Sequence, residues 1–149
     1  MAVGIALGLG AFTFGYAKGY SYLTDDPAAC ANCHVMTEHF DAWNRSSHRA
    51  VAACNDCHTP SHPVNKYVVK AQNGFWHSFY FTTGNFPDPL RITPRNRRVT
   101  EAACRGCHEQ IVDAIDAHPH ERRPGSETEA GELQLSCIRC HAHVGHFVR

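Results

Sequence analysis

The sequence is short of methionine, carries no surplus of either charge and, beyond its first 17 residues, has no long apolar run. Each shortage excludes something. Lys and Arg total 14, as do Asp and Glu, so no excess positive charge is available for nucleic acid, and none is expected as a partner. No stretch alternates apolar and polar residues long enough to predict a sheet. The short apolar segments beyond Thr24 cannot build a conventional core by themselves. Met1 and Met36 are the only methionines, so Met36 stands alone in the folded part. What the chain has in excess is histidine, 12 residues, and cysteine, 8.

All eight cysteines fall in four copies of one pattern: Cys30-Ala-Asn-Cys33-His34, Cys54-Asn-Asp-Cys57-His58, Cys104-Arg-Gly-Cys107-His108 and Cys137-Ile-Arg-Cys140-His141. CxxCH is the attachment motif of c-type haem. The thiols form thioethers to the porphyrin, their spacing puts both sulfurs on one face of a helical turn, and the next imidazole meets the iron. Zinc sites and disulfides also use such cysteines. A histidine directly after the second cysteine in every copy argues against both. Four covalently bound haems c are therefore expected, and their attachment implies export from the cytoplasm. Large apolar cofactors would then supply the missing core.

Eight histidines lie outside the motifs: His39, His48, His62, His77, His118, His120, His143 and His146. These are candidates for distal axial ligands. His48 and His146 come first, with His118 and His120 next in a loop able to fold over a neighbouring haem. The first motif reads CHxM. Met36 is either packing or a thioether ligand, and ligation would raise that haem's potential.

Met1–Ala17 carries no charged side chain and, at about 1.5 Å per residue, covers most of a hydrocarbon layer of ~30 Å. Lys18 can snorkel, residues 19–23 are expected to extend the span, and Tyr16, Tyr20 and Tyr22 suit an aromatic belt. A cleaved signal peptide is the alternative, but no basic start or small-residue cleavage site supports it. Gly4 with Gly8, and Gly15 with Gly19, form GxxxG pairs through which a homodimer could pack. The expected organisation is an anchor over residues 1–24 and an extracytoplasmic domain over 25–149. The fold class is mainly α with extensive loops: an N-terminal transmembrane helix plus a compact tetrahaem domain organised around its haems. Helices are expected over residues 37–48, 64–73 and 109–117, with a further turn at Thr100–Glu101. Residues 85–98, with three prolines, read as extended loop, and residues 122–131 as polar loop. Pairing of the motifs at either end of a middle segment suggests two dihaem units.

Residues 64–81 hold the polar groups Lys66, Lys70 and His77 among Phe75, Trp76, Phe79 and Phe81. Oxidising a quinol releases two electrons and two protons, which calls for an apolar slot, a basic group and a nearby haem. Lys70 and His77 lie seven residues apart, about two turns of helix, and would share a face. The plainer alternative is a loop whose aromatics pack on porphyrin.

Four motifs behind one N-terminal apolar segment, with CHxM in the first, resemble the NapC/NirT family of membrane quinol dehydrogenases. The carrying segments are YAKGYSYLTDDPAACANCHVM, SSHRAVAACNDCHTP, KYVVKAQNGFWHSFYFTTGNF, RITPRNR and CIRCHAHVGH. Within the family they are closest to the branch that serves cytochrome c nitrite reductase. The resemblance implies a single-pass inner-membrane protein with its haem domain on the periplasmic side. It would oxidise menaquinol and pass electrons to a pentahaem nitrite reductase. It further implies that Met36 ligates the first haem in place of His34, and that His48 and His146 are distal ligands beside His58, His108 and His141. Lys70 would belong to the quinol site, and one haem would take a lysine from the catalytic partner. At His77 some relatives carry an Asp. The rival readings are another acceptor, such as a periplasmic nitrate reductase, or a haem wire without a quinol site.

Overall fold

The computed structural model describes residues 1–116 and 136–146, and among these it is helical, with no strand. Helix α1, Ala2–Tyr16, has no polar face and is exposed along its whole length. Its 15 residues span about 22 Å. No helix among the described residues is long and apolar enough to cross a membrane. The expected extension through residues 19–23 does not occur. Lys18 takes a left-handed conformation, φ 53° and ψ 39°, and the chain turns there into a 3-10 helix, Gly19–Leu23, that packs back against α1. The Phe14 ring lies on Gly19, where a Cβ would collide with it. Gly19 of the second pair is therefore covered, whereas Gly15, Gly4 and Gly8 open onto bare helix surface.

Short helices follow: α2 Pro27–Cys30, α3 Thr37–Asn44 and α4 Cys54–His58. Asp26 caps α2 by accepting the Ala28 N–H at 2.9 Å, and Pro27 occupies its first position. Asp56 reaches back to the Ala53 N–H at 2.8 Å and closes the start of α4. Helix α3 ends at Asn44, and residues 47–50 form a 3-10 turn rather than a continuation to His48.

Helix α5, Pro63–Thr83, is twice the expected length. Gly84 ends it in a left-handed conformation, φ 69°, that a side chain would resist. Helix α6, Pro94–Cys107, corrects the expected loop over residues 85–98. Thr93 accepts the Asn96 N–H at 3.3 Å and Pro94 takes the first helical position, so the third proline starts a helix. Helices α7, Glu109–Asp116, and α8, Cys137–Cys140, complete the order. His118, His120 and the expected loop over 122–131 lie outside the described residues.

Apolar burial is scant. Ala42 and Val69 are the buried hydrophobic residues among those described, accompanied by buried Thr59 and Lys70. The helices meet instead through the cysteine motifs: α2 touches α4, α4 touches α6 and α6 touches α8.

Candidate functional site

Each CxxCH motif sits on or at the end of a helix, as the spacing requires. The four succeed one another in space in the order of the chain, because their helices touch in that order. The Cys30 and Cys54 thiols lie within hydrogen-bonding reach of each other. None of the eight cysteines is paired in a disulfide. No group of three or more His, Cys, Asp or Glu is gathered to hold a metal ion among the described residues.

The histidines instead come together in pairs. The rings of His58 and His146 have nearly parallel planes, 13° apart, with centroids 6.0 Å apart, and the centroids of His48 and His108 are 6.1 Å apart. An imidazole nitrogen binds a metal at about 2 Å and its ring centre lies about 1 Å further, so two imidazoles on opposite sides of one iron have centroids about 6 Å apart. Both pairs fit bis-histidine ligation. His48 Nδ1–H donates to the Val144 carbonyl at 3.1 Å, which fixes the tautomer and leaves Nε2 free as a ligand. Burial, together with His146 and His39, pushes the His58 pKa down to about 4, so the ring is neutral at pH 7. These pairings join distal candidates to particular motifs, which the sequence did not do. They fit a set in which the haem of the second motif lies between His58 and His146, and that of the third between His108 and His48.

At the first motif, His34–Met36 is a 3-10 turn in which His34 is exposed and Met36 half-buried. That favours the thioether over the imidazole as the inward-facing group. His141 is exposed beyond α8, as is His143. His39 packs edge-on against His146 at 5.1 Å with its Nδ1 buried and unpartnered. His62 precedes the first turn of α5.

Lys66, Lys70, Gly74 and His77 share one face of α5, which lies against residues 22–25. Lys70 Nζ donates to the Thr24 carbonyl and to Asp25 Oδ1, both at 2.8 Å, and Lys66 Nζ pairs with Asp25 Oδ2 at 2.5 Å. Asn55, inside the second motif, donates to Asp25 Oδ1 at 2.8 Å and to Thr24 O at 3.2 Å. Hydrogen bonds from Lys66 and Lys70 hold the Asp25 pKa down at about 2. Further along, the Tyr22 hydroxyl is 3.0 Å from His77 Nδ1, and its ring lies over Gly74. Desolvation on that side lowers the His77 pKa. Lys70 lies within electrostatic reach of Cys30. Phe75, Trp76, Phe79 and Tyr80 stack on one another as an exposed aromatic patch. Phe81 packs apart from them, on Phe86.

Both expected polar residues thus share a face near the first motif. Their partners, Tyr22 and Asp25, were not read as site residues, and nothing local in the sequence marks Asp25. The RITPRNR and KAQNGF segments also meet: Arg95 donates to Gln72 and, at 2.9 Å, to Asn73 Oδ1, and Asn96 donates to the same oxygen at 3.2 Å.

The model of the NapC/NirT cytochrome c family, N-terminal region, matches residues 1–149. Cytochrome c-type protein NrfH of Wolinella succinogenes is 34% identical over 143 residues, which are 95% of this chain and 80% of that protein. Cytochrome c-type protein TorY of Escherichia coli O157:H7 is 26% identical over 162 residues, 96% of this chain but 43% of its own length. Among solved structures, the cytochrome c nitrite reductase NrfHA complex bound to the HQNO inhibitor superposes with a TM-score of 0.63 at 25% identity, covering 97% of this chain and 89% of that one.

Proposed function

The chain belongs to the NapC/NirT cytochrome c family, and on that premise we propose that it is a membrane-anchored quinol dehydrogenase. It takes electrons from menaquinol and passes them through four covalent haems c to a pentahaem nitrite reductase. The observation that carries this reading is the succession of the four motifs in space, with the α5 face of Lys66, Lys70 and His77 held beside the first. The likeness to NrfH and to the NrfHA complex supports nitrite reductase as the acceptor. TorY, in the same family, keeps a different acceptor as the second reading.

In the proposed assignment Cys30, Cys33, Cys54, Cys57, Cys104, Cys107, Cys137 and Cys140 carry the haems. Met36 would hold the first, His58 with His146 the second, His108 with His48 the third, and His141 the fourth. When bound, the haems supply one-electron redox centres. The chain's own residues do the rest. His77 Nε2 faces away from Tyr22 and takes the proton that leaves a quinol hydroxyl, for which a neutral imidazole is suited. The Lys70 charge stabilises negative charge on the quinol oxygen. Helix α1, apolar on all sides with no packing face of its own, is suited to lipid or to another apolar helix, and a homodimer would use the open Gly4–Gly8 face.

The test is reduction of the purified haem-loaded chain by a menaquinol analogue, with nitrite reductase or another family acceptor added downstream. Reduction that HQNO blocks, followed by electron delivery to nitrite reductase, is the expected result. A chain that dithionite reduces and the quinol does not is a wire without a quinol site. Delivery only to another acceptor selects the second reading.

A further inference from the structure

We propose, on the quinol-site reading above, that Asp25 is a positioning residue for that site: its carboxylate fixes where the Lys70 charge stands. An ammonium has three N–H donors. Lys70 spends one on the Thr24 carbonyl and one on Asp25 Oδ1, both at 2.8 Å, and its remaining side faces the Tyr67 ring, 5.6 Å from the centroid. The side chain is 5% exposed. Two of the three donors are thus committed and the group is buried against Tyr67, so its position is held before any quinol arrives. It acts on the quinol as a fixed charge, and whatever sets its position sets its effect.

Asp25 is that group. Its Oδ1 receives both Lys70 and the Asn55 amide, and its Oδ2 receives Lys66. The carboxylate thereby ties α5 to the residues leading into Cys30 and to the interior of the second motif. The charges facing it are the two ammonium groups, so the node as a whole carries a single positive charge. That sign suits the anion a quinol becomes as its first proton departs. Without the carboxylate, two ammonium groups would face each other across an uncharged side chain. Lys70 would then be free to leave the position from which its charge reaches the first motif.

The experiment uses the full haem-loaded chain, with menaquinol-analogue turnover and HQNO binding as separate readouts. Asp25→Asn is expected to raise KM by roughly tenfold or more and to weaken HQNO by a similar factor, the scale of a lost charged hydrogen bond. Haem content and the dithionite-reduced spectrum stay those of the wild type. Asp25→Asn combined with Lys66→Gln keeps the node's charge but not its clamp, and is expected to remain impaired. Wild-type KM and HQNO affinity in Asp25→Asn would overturn the proposal. Full recovery in the double variant would overturn it too, since net charge and not position would then be the cause. Should Asp25→Asn not accumulate, Asp25→Glu decides: a carboxylate displaced by one methylene must shift both readouts severalfold, and unchanged values reject the role. Lys70→Met separates this idea from its premise. If Lys70→Met is itself indistinguishable from wild type, the quinol site lies elsewhere. If it is impaired while Asp25→Asn is not, only the role of Asp25 fails.

Discussion

Asp25 is half exposed, yet Lys66 and Lys70 hold its pKa at about 2, against roughly 3.9 for an unperturbed aspartate. The folded pKa lies below the unfolded one, so the contribution is fully present above about pH 4 and is lost as pH falls through about 2. Solvent screening keeps it to about 1 kcal/mol. The stability gap between wild type and Asp25→Asn, followed by denaturant unfolding at a series of pH values, should be constant at neutral pH and close towards pH 2. Met36 supports a second prediction at this scale. Met36→His should lower the potential of one haem by on the order of a hundred millivolts, read by spectropotentiometric titration, because a thioether favours the reduced iron more than an imidazole does. Unchanged potentials would leave Met36 a packing residue. The attachment residues were legible from the sequence because thioether chemistry fixes them within five consecutive positions. The partners of Lys70 and His77 were not, because Asp25 and Tyr22 reach them across 45 and 55 residues and no local pattern encodes such contacts.

Among the elements, α5 and α6 show what periodicity conveys and what it hides. The shared face of Lys70 and His77 follows from 3.6 residues per turn, and the structure has it. The start of α6 was hidden because three prolines in a short stretch read as loop, although Thr93 followed by Pro94 is itself a helix-start signal. Thr93→Ala should cost about 1 kcal/mol and lower the melting temperature by about 2–4 °C. Helix α8 depends on a cap from another element. Glu101 accepts the Cys137 and Ile138 N–H groups at 2.9 and 3.1 Å and also binds the Ser136 hydroxyl. Burial pushes the Glu101 pKa up, but these hydrogen bonds outweigh it and leave it lowered. Glu101→Ala should therefore cost more than the Thr93 substitution, about 2 kcal/mol, by thermal unfolding at neutral pH. An equal or smaller loss would show that water replaces the carboxylate. The anchor was read too simply, since an uncharged run of residues does not reveal that Lys18 turns the chain.

For the whole molecule, the prediction is stoichiometric. Four haems per chain should survive denaturation and appear in the pyridine haemochrome spectrum, and two or fewer would reject the architecture. The sequence suggested two dihaem units in one domain, and the contact of α4 with α6 joins the two pairs of motifs into one row. The distal histidines run against that row. His48 is made early and finds its ring partner at His108, and His58 waits for His146; Val144, which orients His48, lies 96 residues downstream of it. Synthesis from the N-terminus thus delivers the CxxCH motifs in order, while, on the proposed ligand set, the groups that would complete the second and third sites arrive late. The chain resembles a lace threaded upward and tied only at its last eyelet. Until residues 144–146 emerge, the early half has no means of finishing, and such long loop closures slow folding. On the proposed ligand set, a chain cut short by even those few residues would keep its attachment cysteines and still lack a distal ligand. Quality control that sensed open coordination positions, not missing haem, would be the kind able to detect it.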